Sequence, residues 1–363
     1  MCLLKTNPLN KKLQGNSCTK KSPNNYANIT LFVAMSSLLK YTRIAAFAAI
    51  ALASCKPDKP RTDTKTNDTT TEVKKPAPVT RPAFSADTAY MYVQKQVDFG
   101  PRVPGTVQHA KCAQYLYTEL GKYADKVLMQ QGEATTFDKT KITIKNIIGE
   151  FNPEAKNRVL LFAHWDTRPF ADEDTKDKDK PILGANDGGS GVGILLEVAR
   201  QLSINKPTWG VDIIFFDAED WGSPQVENSY CLGSQFWGKT PHKPNYKANY
   251  GILLDMAGAT NATFLMEGIS KQTAPQVLQN VWQTAHQLGY YNYFLYTDYG
   301  GITDDHYYVY KATGIPCVDI IHIEPNGGFG SFWHTHNDNM EVISKNTLQA
   351  VGETLLKVIY NEK

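Results

Sequence analysis

Three runs, NRVLLFAHWD, VDIIFFDAED and NYGILLDMAG, are almost entirely apolar and then end in acidic or histidine side chains. They are short and rich in β-branched and aromatic residues, so they read as buried strands rather than helices. Around them the apolar spacing is helical, in DTAYMYVQKQVDF, HAKCAQYLYTELGKYA, GSGVGILLEVARQLS, APQVLQNVWQTAHQLGY and NTLQAVGETLLKVIYN. A further strand is expected in GIPCVDIIHI and one or two in TKITIKNIIGEF. Buried strands alternating with helices restrict the chain to an α/β domain of three layers: a mixed, mostly parallel central sheet flanked by helices. No internal repeat and no second domain boundary interrupts residues 83–363.

The first 82 residues are of another kind. Lys40 and Arg43 precede the apolar run Ile44 to Ser54, and Cys55 follows. A basic region, a short apolar run and small residues before a cut site make an export signal over 35–54. The run is too short to span a bilayer. LASC, Leu52 to Cys55, resembles the bacterial lipoprotein box, which makes Cys55 the expected lipidation site; a plain signal peptide is the alternative. Met35 directly precedes the signal, so residues 1–34 are expected to be upstream sequence. Residues 55–82 are Lys, Thr, Asp and Pro with little to bury. They read as a tether of roughly 30 Å between anchor and domain. The expected location is the periplasm or cell envelope. Export implies an oxidising compartment, and Cys112, Cys231 and Cys317 allow one bridge, of unassigned pairing. A net charge of +2, with both signs interleaved, gives no electrostatic case for a nucleic-acid partner.

In open α/β sheets, sites form outside the carboxyl ends of the strands. His164 and Asp166, then Asp217, Glu219 and Asp220, then Asp255 fall there. GAND leads into a helix and places Asp187 near its start. Each has a plainer reading. Asp187 suits a helix cap, Asp255 a solvated strand end, His164 a satisfied core histidine, and Asp217 a structural strand-end role. Together these acids would repel one another, and a divalent cation would relieve that. Later come Asp304, Asp305 and His306 in ITDDH, and His334 in GSFWHTHND. Zinc in an open catalytic site takes His and carboxylate ligands and leaves one position free.

HWD, GANDGGSG, FFDAED, LLDMAGA, DDH, GIPCVDII and FWHTHND resemble, in order and spacing, the zinc-dependent aminopeptidase superfamily from about residue 88 onward. Within it the chain is most similar to the glutaminyl cyclases, in particular bacterial enzymes of the animal type. The resemblance implies an aminopeptidase-like fold and one zinc ion on Asp187, Asp220 and His334. Asp220 departs from the animal pattern, where the ligand is Glu. Glu219 is implied as the general acid/base, with Asp255 and Asp304 sharing its hydrogen-bond network. Trp333 is implied beside the substrate, with Trp221 and Phe329 as further walls. Asp319 stands where the animal enzymes carry His.

The implied reaction converts the N-terminal Gln of a peptide or protein into pyroglutamate with loss of ammonia. A monomer is expected, with the lipid anchor as its sole membrane contact. Two alternatives remain. His164, Asp187 and Asp255 are the residues of a second metal site, as a two-zinc aminopeptidase requires. A non-catalytic binding lipoprotein on the same scaffold is the other. Asp304, where aminopeptidases commonly carry a small residue, and Trp333 before His334 favour the cyclase. The charged stretch Asp172 to Pro181 reads as a solvated insertion, with a rim role at the pocket as the alternative, and His306 as a residue bonded to a neighbouring strand, with reach to the metal region as the alternative.

Overall fold

The computed structural model describes residues 80–362. Residues 1–34, the signal over 35–54 and Cys55 lie outside them.

Two helices, α1 (Ala86–Val97) and α2 (Val107–Gly121), precede the strands β1 (Lys126–Thr135), β2 (Lys141–Phe151) and β3 (Arg158–His164). Then follow α3 (Gly189–Ile204), β4 (Gly210–Phe216), α4 (Leu232–Lys239) and β5 (Tyr250–Asp255). The last third holds β6 (Phe264–Met266), α5 (Gly268–Thr273), α6 (Pro275–Gln287), β7 (Phe294–Asp298), α7 (Asp305–Thr313), β8 (Cys317–Ile321) and α8 (Lys345–Asn361).

Six strands form one sheet in the order β1-β2-β4-β3-β5-β8. β4, β3, β5 and β8 run parallel, and β2 and β1 add antiparallel at one edge. This is the mixed, mostly parallel sheet that the strand–helix alternation requires. The buried strands carry apolar residues on both faces because both faces are covered. Along β4, Val211, Ile213 and Phe215 enter the core shared with Val192 of α3 and Leu355 of α8. Ile214 and Phe216 enter the opposite core with Trp237 of α4 and Val309 of α7. β3 and β5 divide in the same way, as a two-residue period dictates.

Three features escape the sequence pattern. β1 is a half-exposed edge strand, KVLMQQGEAT, paired along its length with β2. An edge strand facing water need not be apolar, so it leaves no hydrophobic run. β6 and β7 form a separate two-stranded pair. α4 is short and starts behind Cys231, whose backbone is left-handed at φ 58°. Cys112, Cys231 and Cys317 are all buried and unbridged.

α3 lies directly on the sheet. A Cβ at Gly191 would sit 2.4 Å from the Leu254 carbonyl and 2.9 Å from the Ala163 methyl carbon. Both neighbours belong to strands, one of them by its main chain, so neither can yield cheaply. Gly191→Ala is therefore expected to destabilise the domain by about 1–3 kcal/mol through overpacking. Chemical denaturation would measure it, and an unchanged midpoint would contradict the close helix–sheet approach.

Candidate metal centre

The carboxyl ends of β3, β4 and β5 open on one edge, and short loops there carry the polar residues. Asp166 follows β3. Its carboxylate accepts from the backbone N–H of Glu219 at 3.0 Å and of Asp220 at 3.3 Å, fixing the loop after β4. That loop turns at Ala218, where φ is 53°. Asp217 points away from the centre and accepts from His109 Nε2 at 2.9 Å, Lys145 N at 2.7 Å and Ala218 N at 2.8 Å. It is an anchor between α2, β2 and the loop.

Asp187 is held by its main chain. Asp338 accepts from Asn186 N at 2.7 Å and Asp187 N at 3.0 Å. The Arg102 fork donates to the carbonyls of Trp165, Leu183 and Gly184 and secures the preceding loop. Gly188 caps α3, with no side-chain cap, so the Asp187 carboxylate is free for the centre. Gly188 has φ 87°, and a Cβ there would lie 2.5 Å from the Asp166 carbonyl. Only glycine fits this turn.

Asp187, Asp220 and His334 thus converge, all buried, with their donor atoms within 4.8 Å of one another. His334 Nε2 stands 3.2 Å from Asp220 Oδ1 and 3.8 Å from Asp187 Oδ2. Asp220 Oδ2 is buried with no hydrogen-bond partner. A buried carboxylate oxygen without a donor is costly, and a cation is a partner that removes the cost. Two carboxylates and an imidazole with one position left open are a donor set that fits one zinc ion. Burial lowers the His334 pKa, but Asp220, Asp172 and Asp187 outweigh it and carry it to about 9.

A second group shares Asp187. His164 Nε2 lies 3.0 Å from Asp187 Oδ1 and 3.2 Å from Asp255 Oδ1. Burial works against protonation of His164, yet Asp166, Asp187 and Asp255 together raise its pKa well above the usual value. Its imidazole tethers both acids.

Behind Asp220 lies a chain of acids. Donor atoms of Glu219, Cys231 and Asp304 fall within 4.8 Å of one another, as do those of Asp304, His306 and Asp319. The Cys231 thiol donates to Glu219 Oε1 at 3.2 Å. His306 sits between Glu267 at 3.3 Å and Asp319 of β8 at 3.6 Å. It occupies the interior, not the metal group. Burial raises the Glu219 pKa well above its ordinary range; His164 opposes the rise and Asp304, Asp220 and Asp305 add to it. Burial, then neighbouring carboxylates, bring Asp255 to about 6, Asp304 to about 7 and Asp305 to about 8. These acids hold protons near neutrality as a group.

The centre opens into a cavity of about 170 Å³ lined by Asp187, Glu219, Asp220, Asp255, Asp304 and His334, with Tyr230, Met256, Ile302, Thr303, Ile321, Phe329 and Trp333 as the rest of its wall. It is small beside drug-sized sites of roughly 300–1,000 Å³ and suits one side chain. Trp333 stacks on His334 with ring centroids 3.7 Å apart, and Phe329 packs on Trp333. Trp221 is not part of this wall. Its indole N–H donates to Asp138, and it packs with Ile142 and Ile144. Tyr230 takes the place expected for it.

Among the described residues, Asp187, Glu219, Asp220, Asp255, Asp304, Phe329, Trp333 and His334 line this cavity, and His164 stands against Asp187 and Asp255. A model of peptidase family M28 matches residues 146–359. The chain belongs to peptidase family M28. Tannerella forsythia glutaminyl cyclase, a crystal structure, is 53% identical with a TM-score of 0.76, over 78% of this chain and 100% of that one. A Zn-dependent exopeptidase from Parabacteroides distasonis is 52% identical with a TM-score of 0.77, over the same shares. Bovine glutaminyl-peptide cyclotransferase is 29% identical over 245 residues, 59% of this chain and 64% of that protein. The match thus spans less than two thirds of the curated relative. For this M28 chain, sequence reasoning missed Arg168 and Tyr230 at the centre, and reached Asp172 only through the alternative of a rim role for its stretch. Arg168 lies four residues past His164, the end of β3, and that position was the one available signal.

The raised acids make a pH prediction. Both Asp305 carboxylate oxygens are buried without hydrogen bonds. Its pKa rises from 3.8 to about 8 on folding. The folded state therefore keeps a proton that the unfolded chain loses above about pH 4, and stability falls as pH rises from about 4 to 8. Asp305→Asn removes this contribution. The thermal midpoint of the zinc-free variant is expected to fall less over that range than that of the zinc-free wild type. Parallel midpoint–pH curves would refute the assignment.

Proposed function

We propose that the domain is a zinc-dependent glutaminyl-peptide cyclotransferase acting on peptides or proteins with N-terminal Gln. The observation that carries this reading is the placement of Glu219. It neighbours the proposed ligand Asp220 in sequence and faces the same small, aromatic-walled cavity. The half-identical Tannerella forsythia glutaminyl cyclase supports it.

Asp187, Asp220 and His334 would hold the zinc. Bound there, zinc would supply a Lewis acid for the γ-carbonyl oxygen of the substrate glutamine and positive charge among the carboxylates. The chain's own residues do the rest. The α-amine must be neutral to attack the γ-carbon, and Glu219 accepts its proton. Glu219 then donates to the amide nitrogen, which leaves as ammonia rather than as an amide anion. A carboxyl that burial raises above its ordinary range suits both directions of transfer. Asp304, within reach of Glu219, and Asp255, tethered by His164, share the protons that such crowding retains. Trp333 and Phe329 wall the cavity against water, the competing nucleophile.

The two-metal aminopeptidase has an observation in its favour, the His164–Asp187–Asp255 group. Asp304 and Trp333, which both line the cavity, favour the cyclase instead. We further read residues 35–54 as an export signal and Cys55 as a lipid anchor, with the domain acting as a monomer in the cell envelope.

The decisive assay incubates the domain with a Gln-initiated dipeptide and follows ammonia and product mass. Loss of one ammonia with the peptide bond intact is the expected result; free glutamine would mean aminopeptidase. Glu219→Gln is expected to keep zinc and fold and to lose roughly 10²–10⁴-fold in turnover. Near-full activity in that variant would remove Glu219 from its role.

A further inference from the structure

The acidic stretch after β3 is not a solvated insertion at its start. Asp172, Glu173 and Asp174 run alongside the His334 segment. Glu173 N donates to the His334 carbonyl at 3.3 Å. Asp174 accepts from His336 N at 2.8 Å and faces His336 Nδ1 at 2.9 Å. Between these grips, Asp172 Oδ1 stands 3.4 Å from His334 Nδ1, the ring nitrogen turned away from the metal group.

Asp172 is itself fixed. Arg168, almost fully buried, donates through Nε and Nη2 to its two oxygens, each at 2.7 Å. The same guanidinium donates through Nη1 to Asp220, to the carbonyl at 3.0 Å and to Oδ1 at 3.1 Å. Phe170 lies under it at 4.5 Å, and the Tyr230 ring centroid stands 5.8 Å away. One planar fork therefore joins the supports of two of the three proposed metal ligands. His334 needs such support, because its backbone is left-handed at φ 53°, a conformation that surrounding contacts must hold.

We propose that Arg168 and Asp172 form a positioning clamp for the metal centre. Asp172 accepts the Nδ1 proton of His334 and so fixes the tautomer that leaves Nε2 free for a cation. Arg168 holds Asp220 Oδ1, the oxygen that also stands 3.2 Å from His334 Nε2, and so fixes the orientation of this carboxylate at the same point. A histidine ligand whose far nitrogen is held by a carboxylate keeps its orientation and gains basicity. An arginine does this where a lysine would not, because only a fork can serve two carboxylates in fixed directions. The clamp also bears on the shorter Asp220, which lacks the reach of the animal Glu and is aimed by a neighbour instead. The inference rests on reading Asp187, Asp220 and His334 as metal ligands, and not on the substrate.

The test is zinc affinity, measured on the whole protein by competition with a chromogenic chelator, with circular dichroism as a check on fold. Asp172→Ala is expected to weaken zinc binding roughly 10- to 100-fold, as loss of such a partner does elsewhere. Asp172→Asn, which keeps an acceptor oxygen, should recover part of that loss. Arg168→Lys should weaken binding too, since the fork is lost while the charge stays. Asp174→Ala is the control for loop order, because it releases His336 and not His334. In the Co²⁺-substituted protein the visible spectrum should shift for Asp172→Ala and stay unchanged for Asp174→Ala. Unchanged zinc affinity in folded Asp172→Ala overturns the clamp, as does an equal loss in Asp174→Ala. If zinc weakens as expected but no ammonia is released from Gln peptides by the wild type, the clamp stands and the cyclase reading falls.

Discussion

A buried carboxylate is unfavourable unless something positive or a set of donors stands beside it. This fold brings Asp187, Asp220, Asp255, Asp304, Asp305 and Asp319 to one edge of its sheet, all buried. The rest of the site follows from how that repulsion is met. Some acids are answered by backbone N–H groups, as Asp166 and Asp338 are. Others are answered by cations in the chain: Arg168 serves Asp220, and His164 serves Asp187 and Asp255. The remainder keep protons near neutrality or face the point where a metal would sit. The same unfavourable crowding is therefore the source of both the metal site and the proton store behind Glu219.

Holding that arrangement requires unusual backbone at several non-glycine positions. Ala218, just before Glu219, Met256, just after Asp255, and His334 itself all have positive φ. Each lies at or beside a residue of the centre. Strain of this kind persists only where neighbouring contacts over-determine it. Here the contacts are visible: Asp166 fixes the loop after Ala218, and the 172–174 stretch grips His334. The strands bring the chain to the edge, and these turns aim the side chains.

The framework was legible because β3, β4 and β5 are buried on both faces and so cannot avoid being apolar. β1 was not legible, because an exposed edge strand carries no such constraint. The metal group was legible because its residues end strands or sit in motifs of distinctive chemistry. Trp221 was misplaced because adjacency to Asp220 in sequence says nothing of direction; past the left-handed turn its ring faces the β1–β2 side. Arg168 was invisible, and Asp172 was read mainly as solvent-facing, for the opposite reason. Their role depends on contacts with Asp220 and His334, far away in sequence, and a run of Asp and Lys looks like solvent-facing chain whether or not one carboxylate turns inward.

The three unbridged cysteines also constrain how the domain is made. On the export reading proposed above, the chain meets oxidants while still unfolded, when Cys112, Cys231 and Cys317 are exposed. Any pair joined then would be non-native, since the folded domain uses none. On that reading the cores close before oxidation does, because closure buries all three thiols. Cys231 has most at stake, since a thiol trapped elsewhere would be missing from its place against Glu219.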